Sequence, residues 1–333
     1  MNLVQFRDTQ DRRRVARVDP NGEILHCLRG VSSLYELAMD AMKRGVSLVE
    51  AASELTGDES LEYAAIWESG RLLPPIDHLD PSHLIVSGTG LNHLGSAMAR
   101  DAMHSKGAAA DDAMTDSMKM FRWGVEGGKP EPGTIGVQPE WFFKGDGTCI
   151  VPPGHPLHVP SFAEDGGEEA ELVGVYVIGA DGEVWRVGFA LGNEFSDHVM
   201  ERRNYLYLAH SKLRQCSIGP EIVVGDLPGD LRGRVRILRD GKEVWSAPFK
   251  TGEDHMTHTL ANMEHHHFKY PAFRRPRDIH VHFFGASILS VSHGVKLQSG
   301  DIVDISSPIV HRSLRNPVVV DDRETSPVTV RTL

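Results

Sequence analysis

From Trp141 onward the sequence breaks into short runs of aliphatic and β-branched residues divided by Gly, Pro and Asp. That is the pattern of a sandwich or barrel-like sheet system, and it argues against βαβ units, whose strands alternate with helix-length periodic stretches. Two hairpins stand out within it. Glu171 to Ile178 and Glu183 to Leu191 flank Asp181-Gly182, while Arg234 to Leu238 and Lys242 to Ala247 flank Asp240-Gly241. Each dipeptide is a favoured two-residue turn, because tight hairpins want positive φ at their central positions.

The residues ahead of Trp141 read differently. Residues 31 to 66 predict helix: Ser33 with Glu36 and Ser47 with Glu50 are capping boxes, and Gly45 lies where a left-handed residue would end the first helix. A hairpin over Val15 to Leu28, turning at Pro20-Asn21-Gly22, precedes them, and Pro74-Pro75 forbids helix beyond. The expected organisation is a small N-terminal α/β unit over residues 1–75 and a larger β-rich one over 76–333, as a length of 333 residues allows. Past the boundary, His83 to Ser87 predicts a strand, Gly88-Thr89-Gly90 a tight turn and Ser96 to Ser105 a helix. Residues 107 to 135 predict a mobile helix and loop over a pocket.

The formal net charge is −11, with acidic residues spread along the chain, so neither nucleic acid nor an anionic membrane is an expected partner. No apolar run is long enough for a membrane span, and the opening MNLVQFRDTQDRRRV lacks the apolar stretch of a signal peptide, which makes cytoplasm the expected location. The three cysteines, Cys27, Cys149 and Cys216, are widely spaced without a CxxC pair. Reduced thiols are expected, and neither a disulfide framework nor a zinc site.

In Glu168-Glu169-Ala170-Glu171-Leu172, strand alternation turns Glu169 and Glu171 to one face, their Cα atoms about 7 Å apart. Like charges side by side on a strand destabilise it unless a cation shares them. For this pair alone a solvated edge strand is the competing reading. The hairpin's return strand ends at Gly192-Asn193-Glu194, however, which sets a third carboxylate beside the first two. Three oxygen ligands without Cys or an obligatory His suit a hard divalent ion, Mg²⁺ first, then Mn²⁺ or Ca²⁺.

The order of these motifs resembles the catalytic core of the fumarylacetoacetate hydrolase superfamily. After the acidic pair and the hairpin come Gly192-Asn193-Glu194-Phe195-Ser196, Ala209-His210-Ser211-Lys212 and Gly219-Pro220. Gly90-Leu91-Asn92, Phe143-Lys144, Gly285-Ala286-Ser287 and Leu297-Gln298-Ser299-Gly300-Asp301 extend the match over about residues 75 to 320. The resemblance implies an α+β protein: a β-rich catalytic domain, a mixed β-sandwich roll or barrel, with a small helical N-terminal domain. It further implies metal ligation by Glu169, Glu171 and Glu194, where most members have Asp at the last position, and a substrate-side lysine at Lys212. Substrate contacts fall, on the same resemblance, at Gly90, Leu91, Asn92, Gly285 and Ser287, and a homodimer is expected.

Members that hydrolyse acylpyruvates carry a His and a Glu in the short helix after Gly-Leu-Asn, and the aligned positions here are Ser96 and Ala99, with His93 and His104 nearby. Gly192 to His198, Arg202 to Pro220, His267 to Tyr270 and Asp278 to Gly285 are similar instead to a bacterial branch of 2-keto-3-deoxy sugar-acid dehydratases. That implies an Mg²⁺-dependent hydro-lyase acting on a small 2-keto acid, such as 2-keto-3-deoxypentonate going to 2-oxoglutarate semialdehyde. Lys212 is then the base at C3, given a nearby cation and partial desolvation to lower its pKa, and His93 the acid at the C4 hydroxyl. The alternatives are a hydrolase cleaving a C–C bond of an acylpyruvate or 2,4-diketo sugar acid, and a non-catalytic sugar-acid binding protein.

Among the 18 histidines, His280 and His282 share a strand face as metal ligands would, although structural or gating roles are the preferred reading. The His265 to His267 run falls at the end of a helix starting near Thr257, where partly charged imidazoles complement the helix dipole. Arg274, Arg275 and Arg277 read as a solvated loop, with a carboxylate clamp as the alternative.

Overall fold

The computed structural model describes residues 1–104 and 114–333. β1 (Asn2–Arg7), β2 (Arg13–Val18) and β3 (Ile24–Leu28) form an antiparallel meander, followed by α1 (Leu34–Arg44), α2 (Leu48–Leu55), β4 (Thr56–Glu62) and α3 (Tyr63–Glu68). The expected caps are present: Ser33 and Ser47 accept hydrogen bonds from the Glu36 and Glu50 N–H groups, and Gly45 ends α1 at φ 69°. One part of the predicted helical stretch is strand. Thr56 to Glu62 pairs with β3 at the sheet edge, and with Leu61 as its one large apolar residue, nothing local marks it as a strand.

Next come β5 (Leu84–Gly88), α4 (Leu94–His104), α5 (Asp116–Gly127) and β6 (Phe142–Asp146). The first part of the predicted helix and loop over 107 to 135, and the end of the helix at Ser105, lie outside the described residues. β7 (Ile150–Val151), β8 (Leu157–Val159), β9 (Ala170–Ile178), β10 (Val184–Asn193), α6 (His198–Arg203), α7 (Leu208–Lys212), β11 (Cys216–Ile218) and β12 (Ile222–Val223) follow. The remainder is β13 (Leu231–Arg239), β14 (Lys242–Thr251), α8 (Leu260–Phe268), β15 (Ile279–Phe283), β16 (Ile302–Ser306) and β17 (Leu314–Val320).

The strands form two open mixed sheets. The larger runs β4-β3-β2-β1-β12-β10-β9-β15-β5-β6, with β11 and β7 attached beside β10, and the smaller runs β14-β13-β16-β17-β8. Closure into a barrel, one of the forms expected, would need every strand paired on both sides, and β4 and β6 each have a neighbour on one side. Both expected hairpins are present, but their turns differ. Asp240 and Gly241 adopt φ 51° and 72°, a two-residue turn, whereas the Asp181-Gly182 loop closes from the Gly179 N–H to the Glu183 carbonyl, with only Gly182 at positive φ.

All nine residues of β9 are buried, because both faces of the large sheet are covered. On one face α1 and α2 set Leu34, Leu37, Ala41 and Ala52 against Val173, Val175 and Val281. On the other, Leu172, Phe189 and Phe284 pack with Met256 and Met263 beside α8. Residues 1–75 therefore supply four strands as well as three helices and share the main core, although Val4, Phe6, Leu25, Tyr63 and Ile66 form a smaller core of their own. The N-terminal part is thus not a purely helical unit, since its meander continues the large sheet through the pairing of Leu3 with Ile222.

Candidate active site

The β9–β10 ladder continues one step beyond its regular strands, with the Glu194 N–H donating to the Glu169 carbonyl at 3.0 Å. That step, and the pairing of Gly192 with Glu171, brings Glu169, Glu171 and Glu194 together. One carboxylate oxygen from each lies within 4.8 Å of the others, and all three residues are buried. Glu171 Oε2 accepts the Gly285 N–H at 2.7 Å, and its other oxygen, Oε1, is sealed from solvent without a partner. An unpartnered carboxyl oxygen beside two more carboxylates fits a divalent cation, which would favour the ionised form that burial disfavours.

Two lysines reach the trio from different elements. Lys212, at the end of α7, donates to Glu169 Oε1 and Glu194 Oε2 and to Ser196 Oγ at 3.1 Å, with its ammonium 5.0 Å from the Phe142 ring centre. Lys144 of β6 donates to Glu194 Oε1 at 2.7 Å and to the carbonyls of Glu194, Phe195 and Lys212 at 2.9, 2.8 and 3.0 Å. The Glu169 carboxylate also meets His198 Nε2 at 3.1 Å.

Burial, and then the charges of Glu169 and Glu194, push the Glu171 carboxyl well above its usual range. Burial likewise raises Glu194 against the pull of Lys144 and Lys212. Burial also acts upward on Glu169, but Lys212 and His198 outweigh it and hold that carboxyl well below the usual range. The lowered Lys212 pKa expected from the sequence is not what these neighbours produce. Burial favours the neutral amine, yet Glu169, Glu194 and Glu201 overcome it and raise the ammonium above its ordinary value.

Behind the trio lies a second charged layer. Arg100 of α4 donates through one nitrogen to both Glu140 oxygens at 2.7 Å and pairs through Nε with Glu201 of α6. The Tyr205 hydroxyl adds a 3.3 Å hydrogen bond to Glu140. A Cβ on Gly90 would stand 2.0 Å from Glu140 Oε2, so a side chain in the turn after β5 would displace this carboxylate. A cavity of about 580 Å³ opens beside Glu140, with Thr89, Trp141, Tyr205, His267 and Phe273 in its wall.

No family model matches the chain. A curated relative, a probable 2-keto-3-deoxyxylonate dehydratase of Haloferax volcanii, is 34% identical over 121 residues, covering 35% of this chain and 40% of the relative. The match thus spans less than half of the relative's length. Among solved structures, 2-keto-3-deoxyarabinonate dehydratase superposes with a TM-score of 0.71 at 20% identity, over 97% of this chain and 100% of its own. The chain has the fumarylacetoacetate hydrolase fold. A second structure with that fold, 2-keto-3-deoxy-D-arabinonate dehydratase complexed with magnesium and 2,5-dioxopentanoate, gives 0.69 at 19% identity over 97% of this chain and 100% of its own. The fold extends to 2-hydroxyhepta-2,4-diene-1,7-dioate isomerase from Mycobacterium marinum, at 0.59 and 16% identity over 97% and 100%. The resemblance to the sugar-acid dehydratase branch is in accord with these likenesses.

Within this fumarylacetoacetate hydrolase fold, the residues singled out from the sequence take several kinds of place. Asn92 is fully engaged by protein: its amide donates to the Phe284 carbonyl and Met263 Sδ, and its oxygen accepts from Thr257 and the His258 N–H. Leu91 beside it is buried at φ 51°. His93 is buried with neither ring nitrogen partnered, and burial, with a smaller push from His255, lowers its pKa to about 3. Gly285 at φ 90° holds Glu171 through its N–H, and Ser287 Oγ accepts from the Lys250 N–H at 3.2 Å. Ser96, which aligns with the water-activating position of the hydrolases, donates to the carbonyl of His93 just ahead of its own helix.

The histidines of β15 and His267 of α8 are hydrogen-bonded within the protein. His282 bonds Ser87 and Thr89, and His280 meets His267 Nε2 at 2.9 Å. Among the described residues, Glu169, Glu171 and Glu194 are the one group placed to hold a metal ion. The partly charged imidazoles expected at the end of α8 are not borne out for His267, whose burial lowers it to about 3. Arg275 pairs with Asp278 through Nε at 2.8 Å, so it is committed within its loop.

Sequence reasoning gave no role to Lys144, Arg100, Glu140, Glu201 or His198. For Lys144 a signal exists, since Phe142 and Lys144 alternate onto one face of a strand whose Phe is buried. For Arg100, Glu140 and Glu201 there is none, because they come from three separate segments.

Proposed function

We propose that this protein is an Mg²⁺-dependent lyase that dehydrates a 2-keto-3-deoxy sugar acid, such as 2-keto-3-deoxypentonate, to an aldehyde that keeps every carbon. The observation that carries this reading is the buried trio with its unpartnered Glu171 oxygen. The Haloferax relative and the dehydratase structures support it. Glu169, Glu171 and Glu194 would hold the ion, which supplies Lewis-acid polarisation of the C1 carboxylate and C2 ketone and so acidifies the C3 proton.

Lys212 is the residue that takes the C3 proton at Nζ. Its ammonium must lose a proton before it can do so, and an ion held by Glu169 and Glu194, the carboxylates that Lys212 contacts, would favour that loss by opposing its charge. His93, neutral by burial, serves the departing C4 hydroxyl as a hydrogen-bond donor and not as a cationic acid. The C4 hydroxyl leaves as water with the proton taken from C3, a C3–C4 double bond forms, and transfer of a proton from C5 to C3 followed by tautomerisation of the resulting enol gives 2-oxoglutarate semialdehyde. Arg100 and Glu140 hold the wall beside these groups and exclude water from it.

The hydrolase alternative needs a group that activates water, and the aligned positions offer Ser96, spent on a backbone carbonyl, and Ala99. The test is to incubate the protein with Mg²⁺ and 2-keto-3-deoxypentonate, and separately with an acylpyruvate. A five-carbon aldehyde is the expected product. Release of pyruvate with a second acid would establish cleavage, and ligand binding without turnover would establish the non-catalytic reading.

A further inference from the structure

Cys149 and Cys216, far apart in sequence, meet on neighbouring strands. β7 starts directly after Cys149 and pairs in parallel with β11, where Cys216 stands opposite Ile150. The two sulfurs are 3.9 Å apart. Their surroundings are unequal. Cys216 is sealed from solvent, while Cys149 is partly exposed and lines a cavity of about 500 Å³ together with Lys144, Asp146, His158 and Arg214. Cys27 lies elsewhere, in the small core of the N-terminal meander.

We propose that Cys149 and Cys216 are an oxidisable dithiol, converted to a reversible disulfide by a peroxide that reaches Cys149 through this cavity. The local chemistry assigns each sulfur its part. The hydrogen bond with Cys216, aided by the charge of Lys144, holds the Cys149 thiol below its ordinary pKa, and burial holds Cys216 above. The more acidic, more accessible thiol is the one that a peroxide meets first.

Cys149 as thiolate attacks one peroxide oxygen: an S–O bond forms, the O–O bond breaks, and the leaving hydroxide is protonated to water. The Cys216 sulfur then attacks the Cys149 sulfenic acid. The S–S bond forms, the S–O bond breaks, and a second water leaves with the Cys216 proton. Two electrons pass from the thiol pair to the peroxide. The sulfurs close from 3.9 Å to a bond of about 2.05 Å, a shift that the short β7 and β11 segments must absorb. The new bond would lie beside the hydrogen bond from Lys144 to the Lys212 carbonyl, tying together the two segments that carry the site lysines.

The experiment treats the full chain with hydrogen peroxide, then denatures, alkylates and maps it. The expected result is a loss of about 2 Da, reversed by dithiothreitol, as for any thiol pair joined by a disulfide. Alkylatable thiols should fall from three to one, the survivor being Cys27. A cross-linked peptide should contain Cys149 and Cys216 and be missing from Cys149→Ser, whose fold is checked by circular dichroism. If that variant fails to fold, the wild-type map alone decides. Three alkylatable thiols after treatment, a disulfide to Cys27, or Cys149 carried to sulfinic acid while Cys216 stays free would each overturn the proposal.

Discussion

Lys144 places its ammonium 2.7 Å from Glu194 Oε1 with both side chains wholly enclosed, and no solvent screens the pair. Removing the cation leaves the buried Glu194 carboxylate with Lys212 and Ser196 alone and takes one hydrogen bond from each of three carbonyls. Lys144→Met is therefore expected to destabilise the fold by about 3–5 kcal/mol, the usual loss when one partner of a buried ion pair is deleted. Urea denaturation checks this, and a variant within about 1 kcal/mol of the parent would refute the anchoring role.

Glu171 holds its proton to unusually high pH because burial and two neighbouring carboxylates disfavour its charge. Metal ligation needs the carboxylate, so Mg²⁺ binding should expel that proton and strengthen as pH rises. Calorimetry in buffers of different ionisation enthalpy should find close to one proton released per ion. Glu171→Gln should weaken Mg²⁺ about tenfold or more while leaving the metal-free melting temperature close to the parent's, since a neutral amide replaces a carboxyl that is already protonated there. Unchanged affinity in that variant would remove Glu171 from the ligand set.

Burial lowers His267 to about 3 and His258 to about 4, below the ordinary value of an unfolded histidine. A depressed folded pKa means that the unfolded chain takes up protons that the native chain refuses. The stability these residues contribute is complete above about pH 6.5 and drains away as pH falls toward 3–4. His267→Gln should flatten the acid limb of the stability curve by about 1.4 kcal/mol per pH unit below pH 6.5. An identical slope in parent and variant would show that the imidazole titrates normally in the fold.

Gly90 faces Glu140 so closely that an added Cβ would meet its Oε2 at 2.0 Å. Gly90→Ala should push Glu140 off Arg100 without touching the carboxylate trio. On the proposed activity, kcat should fall about a hundredfold, as when a site group shifts by roughly 1 Å. The Mg²⁺ affinity should hold. Steady-state kinetics paired with calorimetry separate the two effects, and a normal kcat would show that Glu140 is a bystander.

What could be read from residues alone was whatever depends on near neighbours in the chain. The Asp240-Gly241 turn, the Ser33 and Ser47 caps and the Gly45 stop follow from local backbone chemistry. The trio was also legible, because Glu169 and Glu171 are two apart on one strand and Glu194 returns beside them through one hairpin. Short-range periodicity suffices for all of these. The polar edge strand β4 escaped, since its pairing with β3, and not its own composition, makes it a strand. Only the stacked structure decided that Lys144 and Lys212 clasp Glu194 from two elements, that Arg100 joins Glu140 to Glu201, and that Cys149 lies against Cys216. Those contacts join segments far apart along the chain, and their charges and thiols acquire altered acidity only when folding excludes water from around them.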